Sequence, residues 1–330
     1  MADEVIYAGG DVVLVTGPDE SPQRFRVSSV ILSCASSVFR TMFGSAFAEG
    51  QELASSGTIT KRLEDDDTKA MRIVFNCLHY QFKAIPKIGD TNTILKVAII
   101  ADKYDCSRVL SSVLTDWCGR FKNSHFWDGA EIHIPKWVDI LAATYLNGLH
   151  ELFGTATERL IFSYAGNFHH LVKDHRAWIP DYVLICLDIA RQHMRAQYRK
   201  FITKIILFRC SNAGFHNAIE YTKNSLDVNE EWAEDWSVLG LMECRREFLA
   251  QCSTSHTDQN LCKDCGQVAV PYALLTDPTL AVVEVQSHEL CLYCCTAADR
   301  DPHQCLGNCH KECDETDEEE EAKENEANAK

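Results

Sequence analysis

Two Cys-x-x-Cys pairs, Cys262-Lys263-Asp264-Cys265 and Cys291-Leu292-Tyr293-Cys294, are the residues whose types and spacing best suit a chemical task. A two-residue gap lets both thiolates of one knuckle reach a single ion, and zinc prefers four soft ligands in a tetrahedron. Gly266 follows the first pair, where a glycine can take the positive φ of a tight turn. The twenty-five residues between the pairs hold two runs that read as strands, Val268-Ala269-Val270 and Leu280 to Val285, bounded by Pro271 and Pro278. The expectation is a structural, ribbon-like zinc site held by Cys262, Cys265, Cys291 and Cys294. With four thiolates it has no open position, so it is not catalytic. A cysteine redox role is the rival reading. Cys252, His256, Cys295, His303, Cys305, Cys309, His310 and Cys313 could supply a second site or replace a member of the first, and the sequence does not choose among them.

Other chemistry is hard to find. No glycine loop of the phosphate-binding types is present, and Gly9-Gly10 is a turn signal. A Gly-x-Ser-x-Gly elbow and a His-Glu-x-x-His pair are both missing. His169, His170 and His175 read as a surface loop near a helix end. Cys34, Cys77 and Cys106 fall on expected core helices, where a thiol behaves as a small apolar group. Asp65-Asp66-Asp67 precedes a helix, which suits capping and dipole complementarity better than a cation. We therefore expect no enzyme and no catalytic residue.

At 330 residues the chain exceeds the roughly 250–300 at which single cores stop growing, so several domains are expected. Its net charge is −16, and the tail from Asp314 to Lys330 holds nine acidic residues against two lysines. That tail is too charged and too poor in apolar residues to fold alone. The rest is still acidic, which opposes direct nucleic-acid contact because phosphate binding depends on lysine and arginine. No apolar run approaches the roughly 20 residues needed to span a bilayer. The amino terminus MADEVIYAGG lacks a basic region followed by an apolar core. An intracellular protein of cytoplasm or nucleus is expected, with thiols and metal ligands rather than disulfides among its sixteen cysteines.

The elements that position these residues begin with Phe25 to Phe43, around which the first third of the chain is organised. Phe25 and Val27 alternate as a strand end does. Ser28 or Ser29 can cap a short helix with Val30, Ile31 and Cys34 on one face, and Ser36 or Ser37 can cap a second with Val38, Phe39, Met42 and Phe43 on one side. Asp11 to Val15 reads as a strand covered on both faces, Glu49 to Ser56 as a surface loop, and Thr58 to Leu63 as another strand. Asp66 or Asp67 caps a helix with Met71, Val74, Phe75 and Leu78 inward. Further helices are expected from about Thr93 to Tyr104 and from Ser107. Past Phe121 the pattern is helical only. Pro135 and Pro180 open helices, the latter with a stripe from Val183 to Phe208 that would run about 40 Å. One face of a bundle explains that stripe better than a coiled-coil seam. Arg191, Arg195 and Arg199 share another face, read as solvated.

Residues Phe25 to Phe43 resemble the strand-helix-helix centre of the BTB/POZ domain, a protein-interaction fold. Asp11 to Val15 resembles its opening strand and Leu63 to Asp67 its middle. Leu95 to Cys106, with Ala101-Asp102-Lys103-Tyr104-Asp105-Cys106, is similar to the closing helix of filamentous-fungal members. Where the family usually carries a histidine, this chain has Ser28. The resemblance implies an α+β fold, with a BTB/POZ-like domain over 8–121 built of a small sheet and helical hairpins and a helical extension over 122–250; cysteine spacing and charge add a Cys-rich segment over 251–313 and the acidic tail over 314–330. It also implies protein partners and a homodimer, since family members often self-associate. Some serve as substrate adaptors of cullin ubiquitin ligases, and Phe47-Ala48-Glu49 resembles the hydrophobic-x-acidic element those adaptors use. Phe47 and Glu49 are therefore the candidate partner-binding residues. The alternative function is a nuclear, transcription-related regulator acting through protein contacts, for which the chain lacks a Cys-Cys-His-His finger pattern and any basic cluster stronger than Arg245-Arg246.

Overall fold

In the computed structural model the described residues are 3–122 and 134–207, with Ser237, Val238, Gly240, Leu241, Met242, Leu290, Leu292 and Cys295. The chain divides into two compact units, Met1–Phe153 with Ala177–Ile179, and Gly154–Arg176 with Pro180–Lys330. Cys262, Cys265, Cys291 and Cys294 lie outside the described residues, as does the tail.

The first unit is built on a mixed sheet of β1 (Glu4–Val5), β2 (Val12–Thr16), β3 (Gln23–Val27) and β4 (Ile59–Arg62), in the order β1-β3-β2-β4. β2 runs antiparallel to β3, pairing Leu14 with Phe25, and parallel to β4, pairing Val12 with Ile59. Val12, Leu14, Val15 and Thr16 are all buried, because the central strand is covered on both faces. β3 alternates instead: Phe25 and Val27 point inward, while Arg24 and Arg26 reach the carboxylate of Asp3.

Between β3 and β4 come α1 (Ser29–Ala35), α2 (Ser37–Met42) and α3 (Ala48–Ser56). Ser28 and Ser36 are the caps, accepting from the backbone N–H of Ile31 and Phe39. Ser36 does double duty, since its hydroxyl also donates to the Tyr104 carbonyl at 2.5 Å. Phe39 is wholly buried and stacks on Tyr104 with ring centroids 4.5 Å apart. Burying a side chain of that size contributes roughly 3 kcal/mol. Residues 49–56, expected as a loop, belong to α3. Gly50, Ser55 and Ser56 give it poor intrinsic propensity, so the sequence signal is weak. Tertiary contact compensates: a Cβ on Gly50 would lie 2.0 Å from the Gly44 carbonyl oxygen, so only glycine permits the approach of α3 to the end of α2. On α1 the expectation for Cys34 fails. Its thiol is exposed, whereas Cys77 and Cys106 are buried as expected.

The helical side of this unit is α4 (Thr68–Leu78), α5 (Thr91–Lys103), α6 (Ser107–Lys122) and α7 (Ile134–Leu146). Asp67 caps α4 and Asp90 caps α5. Phe75 of α4 meets Phe25 edge-on at 5.4 Å, locking helix to sheet. α5 packs against α4, α6 and α7, which is why it is apolar over much of its circumference. Asp66 is not a cap. It is buried and accepts from the Tyr104 hydroxyl at 2.6 Å and the Lys103 ammonium at 2.7 Å.

Most of α8 (His150–Ser163) belongs to the second unit, with α9 (Phe168–Leu171) and α10 (Asp181–Leu207). α10 has 27 residues, the single long helix its stripe predicts. Arg191 and Arg195 were expected on a solvated face and are instead buried. Arg191 donates to the carbonyls of Tyr164 and Gly166 and to Asp188, and Arg195 donates to Ala165. These carbonyls follow the end of α8, where helix carbonyls lack intrahelical donors and a guanidinium fork can serve several at once. The side chain of Arg199 lies outside the described residues.

Candidate functional site

The hairpin of α1 and α2 has an open cleft on each side. The cleft toward α3 encloses about 430 Å³ and is lined by Val38, Thr41 and Met42 of α2, by Phe47 and Glu49, and by Lys61 of β4. Phe47 is 48% exposed despite its size. It occupies the N-cap position of α3 with no side-chain cap bond, which leaves the ring at the cleft mouth and free of local duty. Glu49, in the first turn of the same helix, forms an ion pair with Lys61. The Lys61 ammonium, helped by a backbone N–H, holds this carboxyl below its ordinary range. The acidic group is thus ionised and directed by β4 rather than trailing in solvent. Both residues singled out from the sequence meet in one cleft. What the sequence did not reveal is Lys61, which is 12 positions away and joins the site only because α3 folds back along β4.

The second cleft, about 620 Å³, lies between α1 and α3 and is lined by Val30, Ser33, Cys34, Arg40, Phe43 and Leu53. Val30 is 67% exposed. The face of α1 that carries Val30 and Cys34 is therefore an outer, apolar one, and Leu32 is the side chain that anchors the helix.

Each cleft has a serine whose hydroxyl donates to a carboxylate, Ser29 to Asp11 at 2.6 Å and Ser37 to Asp105, and no histidine is among the residues lining either. Burial pushes the Cys77, Cys106 and Cys118 thiols up to about 12, far from thiolate formation at neutral pH. His79 has both ring nitrogens engaged, one with the Phe75 carbonyl at 2.8 Å and one accepting the Ser28 N–H at 3.0 Å. Among the described residues no group of three or more His, Cys, Asp or Glu side chains could hold a metal ion. No described helix is long and apolar enough to cross a membrane.

Exposed apolar side chains at the mouths of both clefts are what a protein-interaction surface offers. The family comparison agrees: residues 9–118 match the BTB/POZ domain, and this part of the chain is a BTB/POZ domain. Domains of this family are generally interaction modules rather than enzymes, and they mediate protein–protein contacts, often as dimers. No curated protein matches the chain.

Proposed function

We propose that the protein is a non-enzymatic adaptor whose BTB/POZ domain binds a cullin-type ligase scaffold through the cleft between α2 and α3. The observation that carries this reading is the joint placement of an exposed Phe47 and an ion-paired Glu49 at the start of α3, beside the apolar walls of Val38 and Met42. An aromatic side chain already outside the core, on a backbone fixed by helix and strand, can be buried by a partner with little ordering loss. Self-association is the companion proposal, through the opposite side of the hairpin, where Val30 and the adjoining cleft present apolar surface.

The test is isothermal titration of the full chain with the amino-terminal half of a recombinant cullin. Phe47→Ala should weaken binding at least about tenfold, in line with the truncation of an aromatic anchor. Because Phe47 lies outside the core, the variant should keep the wild-type circular dichroism. Wild-type affinity in Phe47→Ala removes the assignment.

A further inference from the structure

Both α4 and α5 end in the same hydrogen-bonded motif. After α4, Tyr80 N–H donates to the Cys77 carbonyl and Gln81 N–H to Asn76 at 2.8 Å. After α5, Asp105 N–H donates to Asp102 and Cys106 N–H to Ala101 at 2.8 Å. This closure requires a left-handed residue at the first position past the cap, usually glycine and sometimes asparagine. Asp105, with φ 49°, is a residue type that tolerates that region. Tyr80, with φ 59°, is not. A bulky aromatic in left-handed backbone is an outlier, and the usual reason, a ring needed in the core, does not apply: Tyr80 is 76% exposed.

The strain holds the ring outward in a particular setting. Phe82, 53% exposed, meets Tyr80 edge-on at 6.2 Å, and Ile88 is 64% exposed. The backbone between them is pinned. Ala84 N–H donates to Gln81 and Ile85 N–H to Phe82, and at the far end Gly89 lies so close to Trp117 that a Cβ would fall 2.8 Å from the indole. An exposed apolar group on a fixed backbone loses little conformational freedom when a partner covers it. From Tyr80 to Ile88 the segment carries two exposed lysines, Lys83 and Lys87, and no acidic residue, in a chain whose net charge is −16.

We propose that Tyr80 to Ile88 is a docking surface for an acidic peptide segment of another protein, one that carries an apolar anchor to cover Tyr80 and Phe82. The local positive charge complements such a segment and sets it apart from the acidic remainder of the chain. A second copy is the poorer occupant, since a two-fold contact would face this lysine-bearing segment, which has no acidic residue, with the same segment. An anionic membrane is poorer too, because lipid recognition draws on clusters of about 4–8 basic residues and the chain is otherwise repelled. The surface is distinct from the α2–α3 cleft, so its test uses other variants and its failure leaves the cullin reading standing.

The experiment is fluorescence anisotropy of the full chain with three labelled peptides of equal length: glutamates interspersed with leucine and tryptophan, the same peptide with lysine for every glutamate, and polyglutamate. Wild type should bind the first about tenfold more tightly than either of the others. Tyr80→Gly should weaken that binding about tenfold, while its melting temperature stays level or rises by up to about 4 °C as backbone strain is relieved. Lys83→Glu with Lys87→Glu should shift the preference to the lysine peptide. Absence of binding of the first peptide at roughly 0.1 mM overturns the proposal, as does equal binding of all three. Binding that survives both variants overturns it too. It also fails if wild type binds phosphatidylserine vesicles in preference to the first peptide, or if Tyr80→Gly abolishes a dimer and leaves peptide binding intact.

Discussion

His79 makes the stability of the BTB/POZ domain depend on pH with a definite sign. Its Nδ1 donates to the Phe75 carbonyl in the last turn of α4, and its Nε2 accepts the N–H of Ser28, the residue that caps α1. The ring therefore ties one helix end to another helix start. Burial holds its pKa below the ordinary 6.5, and the bond to Phe75 offsets this only in part. A proton on Nε2 would set one N–H against another, so the folded chain resists the proton that the unfolded chain accepts. Above the ordinary value both states are neutral and the full stability is present. As pH falls below it, only the unfolded state takes up a proton, so stability falls with pH until the lowered folded value is reached. The slope for one such group is at most about 1.4 kcal/mol per pH unit, which sets a ceiling of about 1.4 kcal/mol lost by pH 5.5. Urea unfolding of wild type and His79→Gln at pH 7.5, 6.5 and 5.5 measures it, the difference between the two removing the contributions of the other histidines. Wild type should be the more stable at pH 7.5, and the gap should narrow by up to about 1.4 kcal/mol at pH 5.5. A gap that is constant across the three pH values refutes the reasoning.

Two other outcomes follow from the same logic. Arg191→Met keeps the aliphatic stem of the side chain but removes the guanidinium, leaves the carbonyls of Tyr164 and Gly166 without that donor, and should destabilise the second unit by about 2–4 kcal/mol in thermal unfolding; Arg191→Lys should not restore it, because one ammonium cannot copy the fork. For the Cys-rich segment we propose one structural zinc per chain. Elemental analysis should find it in the purified protein and find it lost in Cys262→Ser, and absence of zinc from wild type removes the site.

Much of the BTB/POZ domain was legible from local pattern. Alternation at Phe25 and Val27, the unbroken apolar run of β2, and serine or aspartate ahead of each helical stripe all report periods of two or 3.6 residues and the needs of a helix start. Choosing between adjacent caps was not possible from sequence, because Ser28 and Ser29, or Ser36 and Ser37, are equal in local chemistry. Tertiary partners decide: Ser29 is taken by Asp11, and Ser36 is drawn in by the Tyr104 carbonyl. α3 was misread for the same reason, since its stability comes from Gly44 and β4 rather than from its own residues. Of the candidate site, Phe47 and Glu49 were visible as a short pattern, but Lys61 was not.

By itself the sequence determined most of the strands and helices of the first third, because side-chain periodicity and capping act within a few residues, while the BTB/POZ reading came from the resemblance of Phe25 to Phe43 and its flanks to that domain. The tertiary structure alone decided the roles of isolated polar groups. Where the family places a histidine the chain has Ser28, and an imidazole reaches that backbone from His79, 51 positions later. Arg191 and Arg195 look solvated by spacing and are buried because the carbonyls past the end of α8 need donors. Burial and partnership of a charged or polar side chain depend on what the fold brings to it, and sequence spacing carries no record of that.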